Sequence, residues 1–405
     1  MHAELWKRIG FTLAALLVLQ VGSYIPLPGI DPDIWGQAFR QTAGGTLGAH
    51  LLAGPAIGRI SIFALSLTPY VSAAVLVQVV TMVSRRLRAV ADAGDPGRRA
   101  IELYTRCGAV LLAVLQAYGI AIALENIAGA VTYQPFVFRL STALTLTAGT
   151  LFLVWLADQI TARGIGNGIA LVLLVGVVAA VPRDIATLLQ ASRAGLLSQN
   201  SLMALALIAA AVTLAVAAIE RARRRIPIEF ATATGPQSAD LAVKLNPAGI
   251  LPALFAGGLI AIGLFAAEIA GLLIAGRGWA GGLVQVLGFA DLRHIAIMAL
   301  LIFVVTLFYA AYVADPEHMA ERLRGCGGSI PGVAPGEPTA VHLDGIISPL
   351  VLVGAIYVTL VMLLPELLSR WFAVPIGFGG FALLLAVCVA LDVQAQVRAL
   401  LAQSR

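Results

Sequence analysis

Charge is scarce in this chain: 12% of its 405 residues are Asp, Glu, Lys or Arg, against about 25% in soluble domains. With 60% of residues hydrophobic, too little polar surface exists to cover a water-soluble body of this size. Cysteine is scarce too. Cys107, Cys326 and Cys388 stand too far apart in sequence for a disulfide framework or a metal cluster, and read as small apolar fillers. Catalytic signatures are missing: there is no His-Glu-x-x-His, no Gly-x-Ser-x-Gly and no P-loop. The five histidines (His2, His50, His294, His318 and His342) fall near segment ends or in loops, without ligand spacing. Gly164-Ile165-Gly166-Asn167-Gly168 has the outline of a dinucleotide loop. It lacks the preceding strand and the acidic residue of a second strand, so it reads as a helix breaker. Ionisable residues are also missing from the middle of the apolar segments. Asp158, Glu268 and Asp392 all lie near segment ends, which counts against a proton- or sodium-coupled pathway. The expectation is no enzyme, no cofactor and no metal.

What the chain does have is long apolar runs. Only helices and closed barrels span a bilayer, and these runs far exceed the roughly ten-residue alternating strands of a barrel. The expected class is an all-α polytopic membrane protein. At about twenty residues per span, ten transmembrane helices are placed near 9–28, 61–83, 104–124, 140–160, 168–187, 201–219, 248–274, 294–314, 345–365 and 375–395. The first has Lys7 and Arg8 before it and no clear cleavage site, so it reads as an anchor rather than a removed signal. Ten spans put both termini on one side. Arg40, Arg59, Arg139, Arg183, Arg193, Arg277, Arg293 and Arg370 fall on the opposite side, and the other 18 of the 26 basic residues share the side of the termini. By the positive-inside rule the termini are cytoplasmic. The net charge of +5 reflects this topology and argues little for nucleic-acid binding.

The link near 188–200 divides the spans five and five, residues 1–190 and 191–405. Because five is odd, the halves have opposite orientations, the arithmetic of an inverted repeat around a midplane pathway. Two cytoplasmic loops, 220–247 and 315–343, are long and polar. Their Pro and Gly residues predict fixed turns, and loops of this kind are suited to docking a partner. Residues 29–60 make an extracytoplasmic excursion rich in Gly, apolar yet too broken to span, and read as a re-entrant piece. On these features alone three readings stand: a channel, a ten-span secondary transporter of a small solute, and an intramembrane enzyme. The last has no nucleophile–base pair or metal set behind it.

Longer motifs separate these readings. Ser61-Ile62-Phe63-Ala64-Leu65-Ser66-Leu67-Thr68-Pro69-Tyr70-Val71-Ser72-Ala73 closely resembles the second span of the SecY family of protein-conducting channels. Gly22-Ser23-Tyr24-Ile25-Pro26-Leu27-Pro28-Gly29 is similar to the end of that family's first span. Gly94-Asp95-Pro96-Gly97-Arg98-Arg99 is similar to its first cytoplasmic loop, and Gln159–Gly168 to the link into its fifth span. Arg225-Ile226-Pro227, Lys244-Leu245-Asn246 and Pro335-Gly336-Glu337 are similar to its later loops.

The resemblance implies the central channel subunit of a Sec translocase in a bacterial cytoplasmic membrane. Such a channel passes unfolded polypeptide across the bilayer and releases apolar segments laterally into lipid. By motif position it implies an aliphatic pore ring of Leu67, Val71, Ile169, Leu173, Leu254 and Leu385. It implies a plug over about 47–59, with Leu51, Leu52, Gly54, Pro55, Ile57 and Arg59, and a lateral gate with Ser72 and Gln78 as polar members. The implied partner surface is Arg98, Arg99, Arg224, Arg225, Lys244, Pro335, Gly336 and Glu337. The implied partners are SecE-like and SecG-like small membrane subunits, with a SecA motor or a ribosome at the cytoplasmic loops. Two positions depart from the family pattern. Ala334 stands where an arginine usually precedes Pro-Gly-Glu, and the loop after Pro227 is short and less basic. Both weaken the expected motor contact.

Overall fold

In a computed structural model, the described residues are all except 1, 32–33, 35–59, 92, 126, 128, 233–234, 248, 260–262, 264–291, 373–378 and 403–405. The long helices are α1 (His2–Gly22), α2 (Thr68–Val83), α4 (Asp95–Glu125), α5 (Pro135–Arg163), α6 (Gly168–Arg193) and α7 (Gln199–Arg221). After them come α8 (251–259), α9 (Leu292–Val313), α11 (Glu337–Phe372) and α12 (Gly380–Ala402). Each of the ten expected spans meets one of these. Residues 260–274 of the seventh fall mostly outside the described residues. Among the described residues, eight helices are long and apolar enough to cross a membrane, nine if α2 is joined to the short α3 (Arg85–Ala91), which bends away by 109°.

The same packing occurs twice along the chain. In the first five spans α1 packs on α5 and α6, and α5 packs on both α4 and α6. In the last five α7 packs on α11 and α12, and α11 packs on both α9 and α12. The two sets meet where α6 touches α7 and α12. On α4, Ala109, Ala113, Ala117 and Ala121 recur every four residues and are fully buried. Small side chains at this spacing let helices approach closely in lipid. Ala117 and Ala121 sit in one cluster with Ala64 and Leu65 before α2 and with Phe138 and Leu146 of α5. The outer faces are apolar and open, as lipid requires: Leu207 and Leu214 of α7 are each 72% exposed.

The all-α class holds within the membrane, with a three-stranded sheet added outside it. The 220–247 loop is a hairpin of β1 (Arg223–Thr232) and β2 (Gly235–Lys244), and β3 (Gly328–Ser329) from the second loop pairs with β1. Ile226 and Val243 anchor the hairpin in a cluster with Ala314, Ile330, Leu343 and Ile347. Sequence reading saw turns here and no strands, because Pro227 and the triple arginine mask the alternation of Ile226, Ile228 and Phe230. The second loop also holds a helix, α10 (Pro316–Gly325), whose N-cap Asp315 accepts from Glu317 N–H at 3.0 Å.

The glycine-rich Gly164–Gly168 link does break the helix, and its neighbours explain the motif. Thr12 Oγ1 of α1 accepts from Ile165 N–H (3.0 Å), and Gln396 Oε1 of α12 accepts from Gly166 N–H (2.8 Å). A Cβ at Gly168 would collide with the Ala157 carbonyl. His294, expected near a segment end, is fully buried, with Nε2 3.4 Å from Glu366 Oε1 across α9 and α11.

Candidate functional site

A cavity of about 720 Å³ opens where the start of α6 and the ends of α7 and α12 surround the start of α8. Its polar wall is Asn167, Glu220, Arg221, Arg223, Lys244, Asp392 and Arg398, and its apolar wall includes Ile169, Leu173, Leu254 and Leu385. Four of the six residues expected in a ring therefore line one cavity, drawn from α6, α8 and α12. Leu67 and Val71 lie in the same buried cluster from the side of α2. Each i, i+4 pair opens a helix. Val71 N–H donates to Leu67 O (2.9 Å), and the Asn167 side chain caps α6 by accepting from Ile169 and Ala170 N–H at 3.0 and 3.3 Å. The Asn167 cap fixes the first turn of α6, and the i, i+4 spacing puts each pair on one helical face. The branched aliphatic side chains along this wall offer neither hydrogen bonds nor charge.

Ser72 is fully buried and its Oγ has no hydrogen-bond partner among the described residues. It faces α8: a Cβ on Gly258 would lie 3.4 Å from Val75 Cγ2 and 4.0 Å from Ser72 Cα. Helices α2 and α8 thus meet through a glycine, a residue that motif matching did not single out. Gln78 is half-buried on α2. Phe255 of α8 in turn packs edge-on against Tyr309 of α9, with ring centroids 5.1 Å apart.

The expected plug residues Leu51, Leu52, Gly54, Pro55, Ile57 and Arg59 lie outside the described residues. The ends of that excursion are described, and they meet. Leu27 N–H donates to Ile60 O (2.9 Å), and Ile62 N–H donates to Ile25 O (3.0 Å). The segment therefore leaves and returns at one place. Its exit is held in a left-handed conformation at two non-glycine residues, Ile60 (φ 41°) and Ser66 (φ 49°). For a β-branched residue this is a rare conformation.

The expected docking residues are all on the surface. Arg98, Arg99, Arg224, Arg225, Lys244, Pro335 and Glu337 are exposed, and Gly336 is half-buried. Arg225 and Asp240 form an ion pair across the hairpin at 3.8 Å. Gly332 and Gly336 adopt positive φ (79° and 104°), and Thr339 Oγ1 donates to Ala334 O at 2.8 Å. This loop is a fixed turn rather than a floppy linker.

One buried polar contact at the cavity was not singled out in advance. Asn246 Nδ2 donates to Glu220 Oε1 (2.9 Å) and to Gly249 O (3.1 Å), while its Oδ1 accepts from Gly249 N–H (3.1 Å). Tyr357 and Cys388 also face the Glu220 carboxylate. The contact ties α7 to the link between β2 and α8. The Lys244-Leu245-Asn246 motif pointed to Asn246 without indicating its partner.

The SecY family model matches residues 61–394. The chain belongs to the SecY family. It is 38% identical to the protein translocase subunit SecY of Escherichia coli strain K12, over 99% of this chain and 93% of that protein. With the protein translocase subunit SecY of Pseudomonas aeruginosa it shares 36% identity over 98% of this chain and 91% of the relative. The fold is similar to a structure described as that of a protein conducting channel (TM-score 0.68, 18% identity, 97% of this chain and 91% of the other). It is also similar to Sec61 in a canine ribosome–channel complex from the endoplasmic reticulum (TM-score 0.63, 18% identity, 97% and 91%).

Proposed function

We propose that this chain is the central channel subunit of a Sec protein translocase. It passes unfolded polypeptide across a bacterial cytoplasmic membrane and releases apolar segments sideways into lipid. The observation that carries this reading is the cavity with a charged rim and an aliphatic wall, built from α6, α8 and α12. A transporter of a small solute would instead place polar or ionisable ligands at that wall.

In this reading Leu67, Val71, Ile169, Leu173, Leu254 and Leu385 close the pore, and residues 47–59 plug it from the extracytoplasmic side. The meeting of the two ends of that excursion supports a re-entrant plug. Helices α2 and α8 part to form the lateral gate, with Ser72 and Gln78 on its α2 side. The halves 1–190 and 191–405 are the two leaves, a division supported by the repeated packing, and the basic-residue count supports cytoplasmic termini. The chain supplies no chemistry of its own, so the driving energy comes from a SecA motor or from a ribosome docked on the hairpin and the Pro335–Glu337 turn. SecE-like and SecG-like small subunits complete the complex.

Purified channel in vesicles with SecA, ATP and an unfolded preprotein tests the reading directly. Protease-protected preprotein that depends on ATP is the expected result. Transport of a small solute without polypeptide transit would overturn it.

A further inference from the structure

The hairpin has a phase that can be read from its hydrogen bonds. Leu245 N–H donates to Ala222 O (3.1 Å), and the register continues from Arg223 opposite Lys244 to Thr232 opposite Gly235. Opposite residues in an antiparallel ladder alternate between bonded and unbonded pairs. Val243, Leu241, Ala239 and Gln237 therefore turn their main-chain groups toward β1. Lys244, Ala242, Asp240 and Ser238 turn theirs away. The prolines agree with this phase: Pro227 and Pro236 both fall in unbonded pairs, where the ladder needs no N–H.

The strand order is β2-β1-β3, so the outer side of β2 is a sheet edge. None of its four outward N–H groups has a protein partner among the described residues. They run about 20 Å along the strand, at roughly 3.3 Å per residue. Proteins usually blunt such an edge with proline, charge or a cover. Here Pro236 stands only near the tip, and the Asp240 carboxylate pairs with Arg225 of its own hairpin. The edge also leads somewhere, because Lys244, its last outward residue, lines the cavity.

A channel that accepts unfolded chains of any sequence has one chemical feature common to all of them, the main chain. Strand addition recognises that feature and leaves side chains largely unread. We propose that the outer edge of β2 pairs, as an added strand, with an extended segment of the polypeptide in transit and leads it into the cavity. This rests on the channel reading above.

The test uses the full channel with Cys107, Cys326 and Cys388 replaced by serine and a single cysteine introduced as Ala242→Cys or Asp240→Cys. SecA and ATP drive an unfolded preprotein that is halted by a folded C-terminal domain and carries one cysteine, moved residue by residue through the segment at the channel mouth. The expected result is disulfide formation at every second preprotein position. In the Asp240→Cys channel, adding Ser238→Pro and Ala242→Pro removes two outward donors and spares the bonds to β1. Each lost main-chain bond lowers occupancy roughly fivefold, so the yield falls at least that much while transit and hairpin protease resistance persist. Yields without alternation, yields indifferent to the prolines, or adducts to SecA in place of preprotein would overturn the proposal. Preprotein that never crosses, measured in the same vesicles, would overturn the channel reading and the proposal with it. Normal crossing without β2 adducts overturns the proposal alone.

Discussion

Replacing Asn246 with alanine removes three hydrogen bonds at once. Two are neutral bonds to Gly249, and one is to the Glu220 carboxylate, a residue only 9% exposed. Net values are about 1 kcal/mol for each neutral bond and about 1.5–3 kcal/mol for the charge-assisted one. The expected loss is therefore roughly 3.5–5 kcal/mol, of which about 1.5–3 kcal/mol comes from the carboxylate left without its donor. Glu220→Gln keeps the shape and the acceptor but removes the charge, so it costs less. In the Glu220→Gln background a neutral bond of about 1 kcal/mol remains, so the cycle returns the difference, a coupling of about 0.5–2 kcal/mol. Titrating purified channel from mild micelles into sodium dodecyl sulfate, with helicity as the signal, measures all four proteins. An Asn246→Ala variant within about 0.5 kcal/mol of the parent, or an additive cycle, would refute the claim that this contact joins α7 to the base of α8.

Other perturbations probe the remaining parts. Leu67→Asn and Leu254→Asn place amides at the two sides of the aliphatic cluster, so resting ion conductance in planar bilayers rises for both; unchanged conductance removes them from the ring. Gly168→Ala drives a Cβ into the Ala157 carbonyl and costs about 2 kcal/mol or more in the same detergent titration, whereas Gly257→Ala, with nothing within 4 Å, is nearly neutral. Ala334→Arg restores a planar fork of donors on an exposed turn. At about 1.5–3 kcal/mol it tightens SecA binding by roughly ten- to hundredfold, and equal affinity for both forms would mark the alanine as inconsequential.

Much of the membrane architecture was legible because a bilayer leaves few choices. Runs of about twenty apolar residues give helices. The breaker at Gly164–Gly168 was legible for a similar reason, since five residues with three glycines cannot hold a helix. What could not be read were relations between distant residues. Nothing local to Glu220 announces that Asn246 will reach it, and nothing near Gly166 announces Gln396. Gly258 carries no motif of its own; only the approach of α2 gives it meaning. The hairpin was obscured differently. Its inward residues alternate correctly, but its outward positions hold arginine and proline, which read as a charged turn. The residues expected to line a pore were named through motif position alone, because aliphatic side chains at a constriction look the same as aliphatic side chains in any helix bundle.

The alanine stripe of α4 has a mechanical consequence. Four methyl groups in a row let α4 approach its neighbours closely, and side chains such as Phe138 and Leu146 pack onto the stripe, so α2, α4 and α5 share one stiff seam. Across the other side, α2 meets α8 through Gly258, where a single glycine stands against Ser72 and Val75. In the gate proposed above, α2, α4 and α5 would move as one plate, and the plate's travel would be set by where α8 lets go rather than by the bending of any one helix.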